Sequence, residues 1–387
     1  MLLLVAASAL LALGVEDEGG LPAVDPYTSG EPARIERAGY VAYAPFSLVR
    51  GQPTFVVDET VGQELIWIET PHFRLGSSLE SYRMPGDKRE RTQVRAELKR
   101  LATKFDDVPT RPRELDPWLR AHLYAQRLED LYQSFCERFG VRGEDVRLLD
   151  ETQRLTNPYL GQREKFVVLL CQKQSTLARY GERFLSGAPK GPMRHYFLDG
   201  AFFFGTSMEA LGGHELDAAL HVALAFGVTG NFVDAFRSFR HETPLWLVDG
   251  VGHWFSRAID ERWCVYASYR PRDDDHWKWP VRMRKRVAQE YFPSANEMFA
   301  WTSEDTIDLG RQLVLWSRVD YLFDQHEEVF PALLWKLKGP LPREGVKGET
   351  EALVALQVDA LDAFLGVTPE EFDARWARWV EKSYPRR

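Results

Sequence analysis

The sequence predicts an α+β fold, with strands and helices sharing the first half of the chain and helices filling the second. Segments of strand composition cluster before residue 212, and patterns with helical spacing run almost without interruption from residue 213. Hydrophobic residues make up 44% of the 387 residues, which supplies a large core and excludes a disordered chain. We therefore expect two lobes, a mixed lobe at 61–212 and a helical lobe at 213–387.

The first lobe is predicted to hold a small sheet and its flanking helices. Strand composition marks residues 64–70, 165–171, 195–198 and 201–205. Helical spacing marks residues 89–105, 117–139 and 172–184. The last two strands flank Asp199-Gly200, a dipeptide typical of a two-residue hairpin turn.

The second lobe is predicted to be helical throughout. The expected helices cover residues 214–226, 243–258, 280–291, 309–324, 327–337, 350–364 and 368–383. No internal repeat and no low-complexity tract interrupts them.

The amino terminus begins with an apolar run, residues 1–15, that is too short for a membrane span of about 20 residues. We interpret residues 1–14 as a signal peptide and residues 15–60 as an irregular tether, with a buried first helix as the alternative. These features predict export to a periplasmic or extracellular location. Among Cys136, Cys171 and Cys264, one disulfide is compatible with export, and three buried thiols are equally compatible.

The charge balance argues against nucleic acid as a partner. Lysine and arginine number 49 and acidic residues 57, so the formal net charge is 49 − 57 = −8. Motifs for phosphate binding, G-x-x-x-x-G-K-[ST] and G-x-G-x-x-G, are absent from the sequence, as is the G-x-S-x-G elbow of serine hydrolases. We also expect no integral membrane span.

Two predicted helices of the second lobe carry the side chains that could bind a metal ion or take part in catalysis. The first places Asp217 and His221 four residues apart, on one helical face. The second contains Trp246, Asp249 and, four residues later, His253.

This order of motifs resembles the gluzincin metallopeptidases, in the peptidase MA-like families, where a helix with H-E-x-x-H precedes one with W-L-x-E-G. Residues 244–250, with the pattern Pro-x-Trp-Leu-x-Asp-Gly, carry the most specific part of the likeness, and supporting patterns extend over 64–384. The resemblance implies a zincin-like fold and a substrate cleft near His214, Trp246 and Gly250.

The departures from the family pattern bear on activity. Superimposing His221 on the second metal-binding histidine puts Asp217 in place of the first histidine and Ala218 in place of the general-base glutamate. The resemblance implies metal ligands at Asp217, His221 and Asp249. His253, four residues after Asp249, is then either a fourth ligand or a residue that orients a ligand carboxylate. Such a set would hold zinc or another divalent cation, and its two carboxylates lean towards Mn, Mg or Ca. No residue is assigned a catalytic role.

Three functions follow as hypotheses. The first is an exported pseudo-metallopeptidase that binds a peptide or a cell-envelope component in the former substrate cleft. The second is an active metal-dependent hydrolase with a rearranged Asp/His/Asp site, and the third is a purely structural envelope protein. A metal-free hydrogen bond between Asp217 and His221 is the simplest alternative to a metal site. An open groove beside His221 would favour the first two functions over the third.

Overall fold

The computed structural model describes residues 24–141, 159–211, 217–237, 239–264, 277–303, 307–342 and 348–387. The predicted signal peptide, 1–14, and His214 lie outside these ranges. Within them the protein is a mixed α+β structure, as predicted: its strands all precede Met208, and helices and their connections make up the chain from Asp217.

The described residues form eight strands and thirteen α-helices. The strands are β1 (Ala42–Tyr43), β2 (Ile66–Glu69), β3 (Phe73–Ser77), β4 (Tyr82–Arg83), β5 (Glu114–Leu115), β6 (Phe166–Cys171), β7 (Met193–Phe197) and β8 (Ala201–Ser207). The helices of the first lobe are α1 (Pro32–Arg37), α2 (Thr54–Val61), α3 (Lys88–Leu101), α4 (Pro117–Arg138) and α5 (Gln174–Phe184). Those of the second are α6 (Asp217–Ala235), α7 (Leu245–Ile259), α8 (Trp279–Ala288), α9 (Ala295–Phe299), α10 (Leu309–Gln325), α11 (Phe330–Leu337), α12 (Glu349–Leu365) and α13 (Pro369–Ser383).

Six strands form one mixed sheet in the order β1-β2-β3-β6-β8-β7. β3, β6 and β8 run parallel at its centre, and the outer pairs are antiparallel. The predicted hairpin is confirmed, but its turn has three residues, Leu198, Asp199 and Gly200, and not two, because Phe197 pairs with Ala201. β4 and β5 form a separate two-stranded ribbon.

Both faces of the central strand β6 are covered by helices. Val167 and Leu169 pack with the buried side chains of α2 and α5, whereas Val168 and Leu170 belong to the main core with α4 and α6. This alternation follows from the two-residue period of a strand, and full burial explains the unbroken apolar run of residues 166–171. The sheet therefore places α4 and α6 together on one face.

The helices of the second lobe approach one another closely at glycines. A Cβ atom at Gly250 of α7 would lie 2.6 Å from the Val319 side chain of α10, and one at Gly252 would lie 3.1 Å from the Phe226 ring of α6. The absence of side chains at these two glycines therefore permits the close packing of α7 against α10 and α6.

Two predicted segments differ from the structure. The segment predicted as a tether, 15–60, is packed into the fold from residue 24 on, because its polar side chain Asp25 and its aromatic side chains Tyr27 and Tyr40 are buried. The first helix of the second lobe was predicted to end at residue 226 but continues to Ala235, because burial on all sides stabilises it through Gly227 and Gly230.

Among the described residues, α6 is the one helix with the length and hydropathy of a membrane span, and the bent pair α12 and α13 meets the same measure only when taken together. α6 lies almost entirely inside the fold, as the core helix of a globular protein does. The described part of the chain therefore contains no clear integral membrane domain. Cys136, Cys171 and Cys264 are not joined by a disulfide.

Candidate functional site

The carboxylate of Asp217, in the first turn of α6, is buried against α4. Arg127 donates a hydrogen bond of 2.6 Å to Oδ2, and the Tyr124 hydroxyl donates one of 2.8 Å to Oδ1. The guanidinium of Arg120 lies 3.6 Å from Oδ1. Arg127 also donates two hydrogen bonds, of 2.8 and 3.2 Å, to Glu97 of α3. The site is thus an internal ion-pair network that joins three helices.

The network keeps Asp217 ionised. Burial raises the pKa of this carboxyl group, but the positive charges of Arg127 and Arg120, together with the hydrogen bonds that it accepts, outweigh burial and bring the pKa to about 2. A buried carboxylate and a buried guanidinium are stable together because each offsets the desolvation of the other.

Glu90 of α3 occupies the amino-terminal end of α6. Its Oε1 accepts the backbone N–H of Ala218 at 3.1 Å and the Tyr82 hydroxyl at 3.2 Å, and the Tyr82 oxygen accepts the Asp217 N–H. Burial, followed by the charge of Asp217, raises the pKa of Glu90. Protein groups therefore satisfy two of the backbone N–H groups at this helix end that have no partner within the helix.

His221 lies one turn further along α6 and faces an open groove. Its side chain is 9% exposed, and it makes no hydrogen bond with another residue in the described part of the chain. Its ring stands edge-on to Tyr124, with ring centres 6.5 Å apart. Burial, then the positive charge of Arg127, holds the pKa of His221 well below its usual value, against the opposing charge of Asp217. The imidazole is therefore neutral at neutral pH.

The expected hydrogen bond between Asp217 and His221 is not formed. The reason is competition, because two arginines and a tyrosine already hold the carboxylate.

The two residues predicted from the second motif lie on α7 and are buried. Asp249 is 1% exposed. The Nε2 atom of His253 lies 2.5 Å from Oε1 of Gln312 on α10, and its ring packs against Phe226 and Trp279. Burial lowers the pKa of His253 to about 3. His253 thus serves the contact between α7 and α10.

The residues predicted to line a substrate cleft do not line the groove beside His221. Trp246 is buried and donates a hydrogen bond of 2.7 Å from Nε1 to Gln357 of α12, because this end of α7 packs into the helical lobe. Gly250 faces α10, where only the absence of a side chain allows the close approach. The third predicted cleft residue, His214, lies outside the described residues.

The predicted metal set does not fit a divalent cation. Among the residues that the structure describes, no group of three or more His, Cys, Asp or Glu side chains is arranged to hold a metal ion. Asp217 is neutralised by arginines, whose positive charge would repel a cation at the same place.

The groove beside His221 has a volume of about 580 Å³. Helix α4 forms one wall and α7 the other, with contributions from α3, from His221 and from the segment after α10. Volumes of 300–1,000 Å³ are usual for ligand sites. The third hypothesis, a purely structural protein, would require side chains to fill the cleft, but the groove beside His221 is open.

Arg120, Tyr124 and Arg127 are the site residues that the sequence reading missed. They recur at spacings of four and three on a helix that is otherwise recognised by its apolar residues. Arginines within such a pattern indicate a buried partner of opposite charge, because an unpaired buried charge is strongly unfavourable. The positions of the two arginines therefore indicate a buried acidic partner, but they do not identify it as Asp217.

Comparisons of the chain with protein-family models, with curated proteins and with solved structures gave no match.

Proposed function

We propose that this protein is an exported pseudo-metallopeptidase, built on a gluzincin-like scaffold, that binds a ligand in the groove beside His221 without catalysing its hydrolysis. The observation that carries the proposal is the ion pair between Asp217 and Arg127, with an N–O distance of 2.6 Å. An arginine-bound carboxylate takes the position that the resemblance assigns to the first metal ligand.

The next residue strengthens the case against catalysis. Ala218 stands where the resemblance requires the general base, and its methyl group cannot accept a proton from water. Loss of a general base lowers hydrolytic rates by about 10²–10⁴-fold even when a metal is present. The metal-dependent hydrolase of the second hypothesis would need a metal set that the described residues do not assemble.

The open groove supports a binding role over a purely structural one. A neutral imidazole without a hydrogen-bond partner in the described residues faces a cavity of ordinary ligand-site size. The apolar run at residues 1–15 supports export, and with it a ligand in the cell envelope or outside the cell.

Metal content and turnover test the proposal together. Protein purified without chelator should contain substoichiometric Zn, Mn, Mg and Ca by elemental analysis. It should also leave a fluorogenic peptide library intact when Zn²⁺ or Mn²⁺ is added. Metal-dependent cleavage that disappears in His221→Ala would overturn the proposal, because a binding protein has no turnover to lose.

A further inference from the structure

We propose that the groove beside His221 binds a short peptide segment that carries a lysine or arginine next to apolar residues. This inference rests on the proposed function and assigns the chemical class of its ligand. It stands on three features of the groove: its length, its charge and an imidazole that has no hydrogen-bond partner among the described residues.

The groove has the length of a short extended peptide. The α4 residues that line it run from Arg127 to Arg138, a span of about 16 Å at 1.5 Å per residue. An extended chain of about five residues covers that distance. The facing wall on α7 is apolar, with Trp254, Phe255 and Ile259. Apolar side chains of the ligand would pack on this wall.

The rim of the groove is acidic. Four carboxylates and two arginines line it, which gives a charge of 2 − 4 = −2 with His221 neutral. The carboxylates are Glu97, Asp130, Glu137 and Glu327. Arg127 does not make the groove attractive to anions, because its donors are used by Glu97 and Asp217. A positively charged ligand therefore complements the rim.

One end of the groove already holds a cation of the chain itself. The guanidinium of Arg138 lies 4.7 Å from the centre of the Trp254 ring and forms an ion pair with Glu327. This aromatic and carboxylate pair is a cation-binding wall. Glu137 and Asp130 lie along the same helix, and Glu137 forms no ion pair with another described residue, so its charge is available to a second, external cation. Glu137 is exposed and accepts a hydrogen bond from the neutral Gln133 amide, and Asp130 pairs with Arg100 outside the groove.

His221 supplies the polar contact at the floor. Its side chain is nine-tenths buried and faces the groove, and a neutral imidazole offers one donor and one acceptor. A peptide group of the ligand has the matching acceptor and donor. No hydrogen bond to another described residue competes for these ring atoms.

Binding of matched peptides tests the inference. Acetylated and amidated pentapeptides with the sequences Ala-Leu-Arg-Leu-Ala and Ala-Leu-Glu-Leu-Ala are titrated by calorimetry in low-salt buffer. We expect the arginine peptide to bind at least about tenfold more tightly than the glutamate peptide, and its affinity to fall as salt is raised. Equal affinities, or binding of arginine amide as tight as that of the peptide, would overturn the inference.

Variants locate the binding. Asp130→Asn with Glu137→Gln should weaken the arginine peptide by about tenfold. The double variant Glu59→Gln with Glu182→Gln removes the same charge from exposed positions on α2 and α5 and should leave the affinity unchanged. If both double variants behave alike, the acidic rim is not the site.

Two single variants address the floor and the cation wall. His221→Leu should weaken the arginine peptide by about tenfold, since a hydrogen-bonded contact is lost. Arg138→Ala should strengthen it by a few-fold, because Trp254 and Glu327 are then available to the ligand cation. Such a gain cannot arise from damage to the fold, and an unchanged or weaker affinity in Arg138→Ala would contradict the inference.

The peptides recovered after titration separate this inference from the proposed function. Cleaved peptide, seen by mass spectrometry, would overturn the proposed function. Intact peptide with no preference for arginine would overturn the ligand class while the proposed function stands.

Discussion

Two buried aspartates lie near histidines beside helix α4, and their carboxylates bind different partners. Asp25 pairs with the histidine, whereas Asp217 pairs with an arginine. Near the amino terminus, Nε2 of His122 lies 3.1 Å from Oδ1 of Asp25, and Nδ1 lies 3.0 Å from the Tyr40 hydroxyl. Both His122 and Asp25 are sealed from solvent. At the groove, Asp217 is held by Arg127 instead, and His221 is left facing the cavity.

The difference comes from what α4 offers to each carboxylate. At its first turns α4 presents an imidazole, which donates one hydrogen bond and leaves a second nitrogen for Tyr40. Five residues later, about one and a half turns along the helix, it presents a guanidinium, which is permanently charged and carries five donors. Arg127 therefore binds the carboxylate of Asp217, and His221 does not pair with it. The buried Asp25–His122 pair therefore serves the structure. The imidazole of His221, which is not bound to Asp217, is available to a ligand in the groove.

The largest expected effect is at the arginine-bound carboxylate. Asp217→Asn should lower the free energy of unfolding by about 3–5 kcal/mol, because Arg127 and Arg120 remain buried with less compensating charge. Urea unfolding at pH 7 measures the change. The control is Asp130→Asn, which breaks an exposed ion pair with Arg100 worth about 0–1 kcal/mol. Equal losses in both variants would show that burial does not distinguish them.

A smaller effect is expected at the sealed pair. His122→Leu should destabilise the protein by about 1–3 kcal/mol, because Asp25 and Tyr40 lose a hydrogen-bond partner inside the fold. Asp25 keeps donors from Thr28 and Tyr43, which limits the loss. The same substitution at half-buried His195 serves as the control and should change stability by no more than about 0.5 kcal/mol. A loss at His122 as large as that at Asp217 would remove the difference between the two pairs.

The smallest effect is a pH dependence at His221. Its pKa is lower in the folded protein than the ordinary value of about 6.5, so below that pH the unfolded chain binds a proton that the folded protein does not. Wild-type stability should therefore fall relative to His221→Leu by about 1 kcal/mol between pH 7 and pH 5.5.

Unfolding curves of the wild type and His221→Leu at the two pH values measure this change. Equal losses of stability in the two proteins between pH 7 and pH 5.5 would mean that the folded protein does not lower the pKa of His221. The difference proposed between His221 and His122 would then have no electrostatic support.

Local patterns were enough for most elements of the fold. The helix at α4 was predicted over residues 117–139 and is observed at Pro117–Arg138, because its proline start and apolar spacing are local properties. The fully buried strand β6 was predicted for the same reason. Export, the gluzincin-like descent and the ligand stay proposals, since they depend on what lies outside a single chain.

Long-range pairing escaped prediction. Asp25 and His122 lie 97 positions apart in the sequence, and Asp25 belongs to the segment that was predicted to be an irregular tether. Asp217 and Arg127 lie 90 positions apart. Spacing within α6 correctly places Asp217 and His221 on one buried helix, but it does not reveal that α4 supplies a stronger partner.

The sequence by itself determined most of the helices and strands and their segregation along the chain, since each depends on residue type and near neighbours. The tertiary structure decided which charges meet. A buried carboxylate selects the strongest donor that packing brings within about 3 Å, and only the folded arrangement of α3, α4 and α6 establishes that the donor is Arg127 and that His221 is left to face the groove.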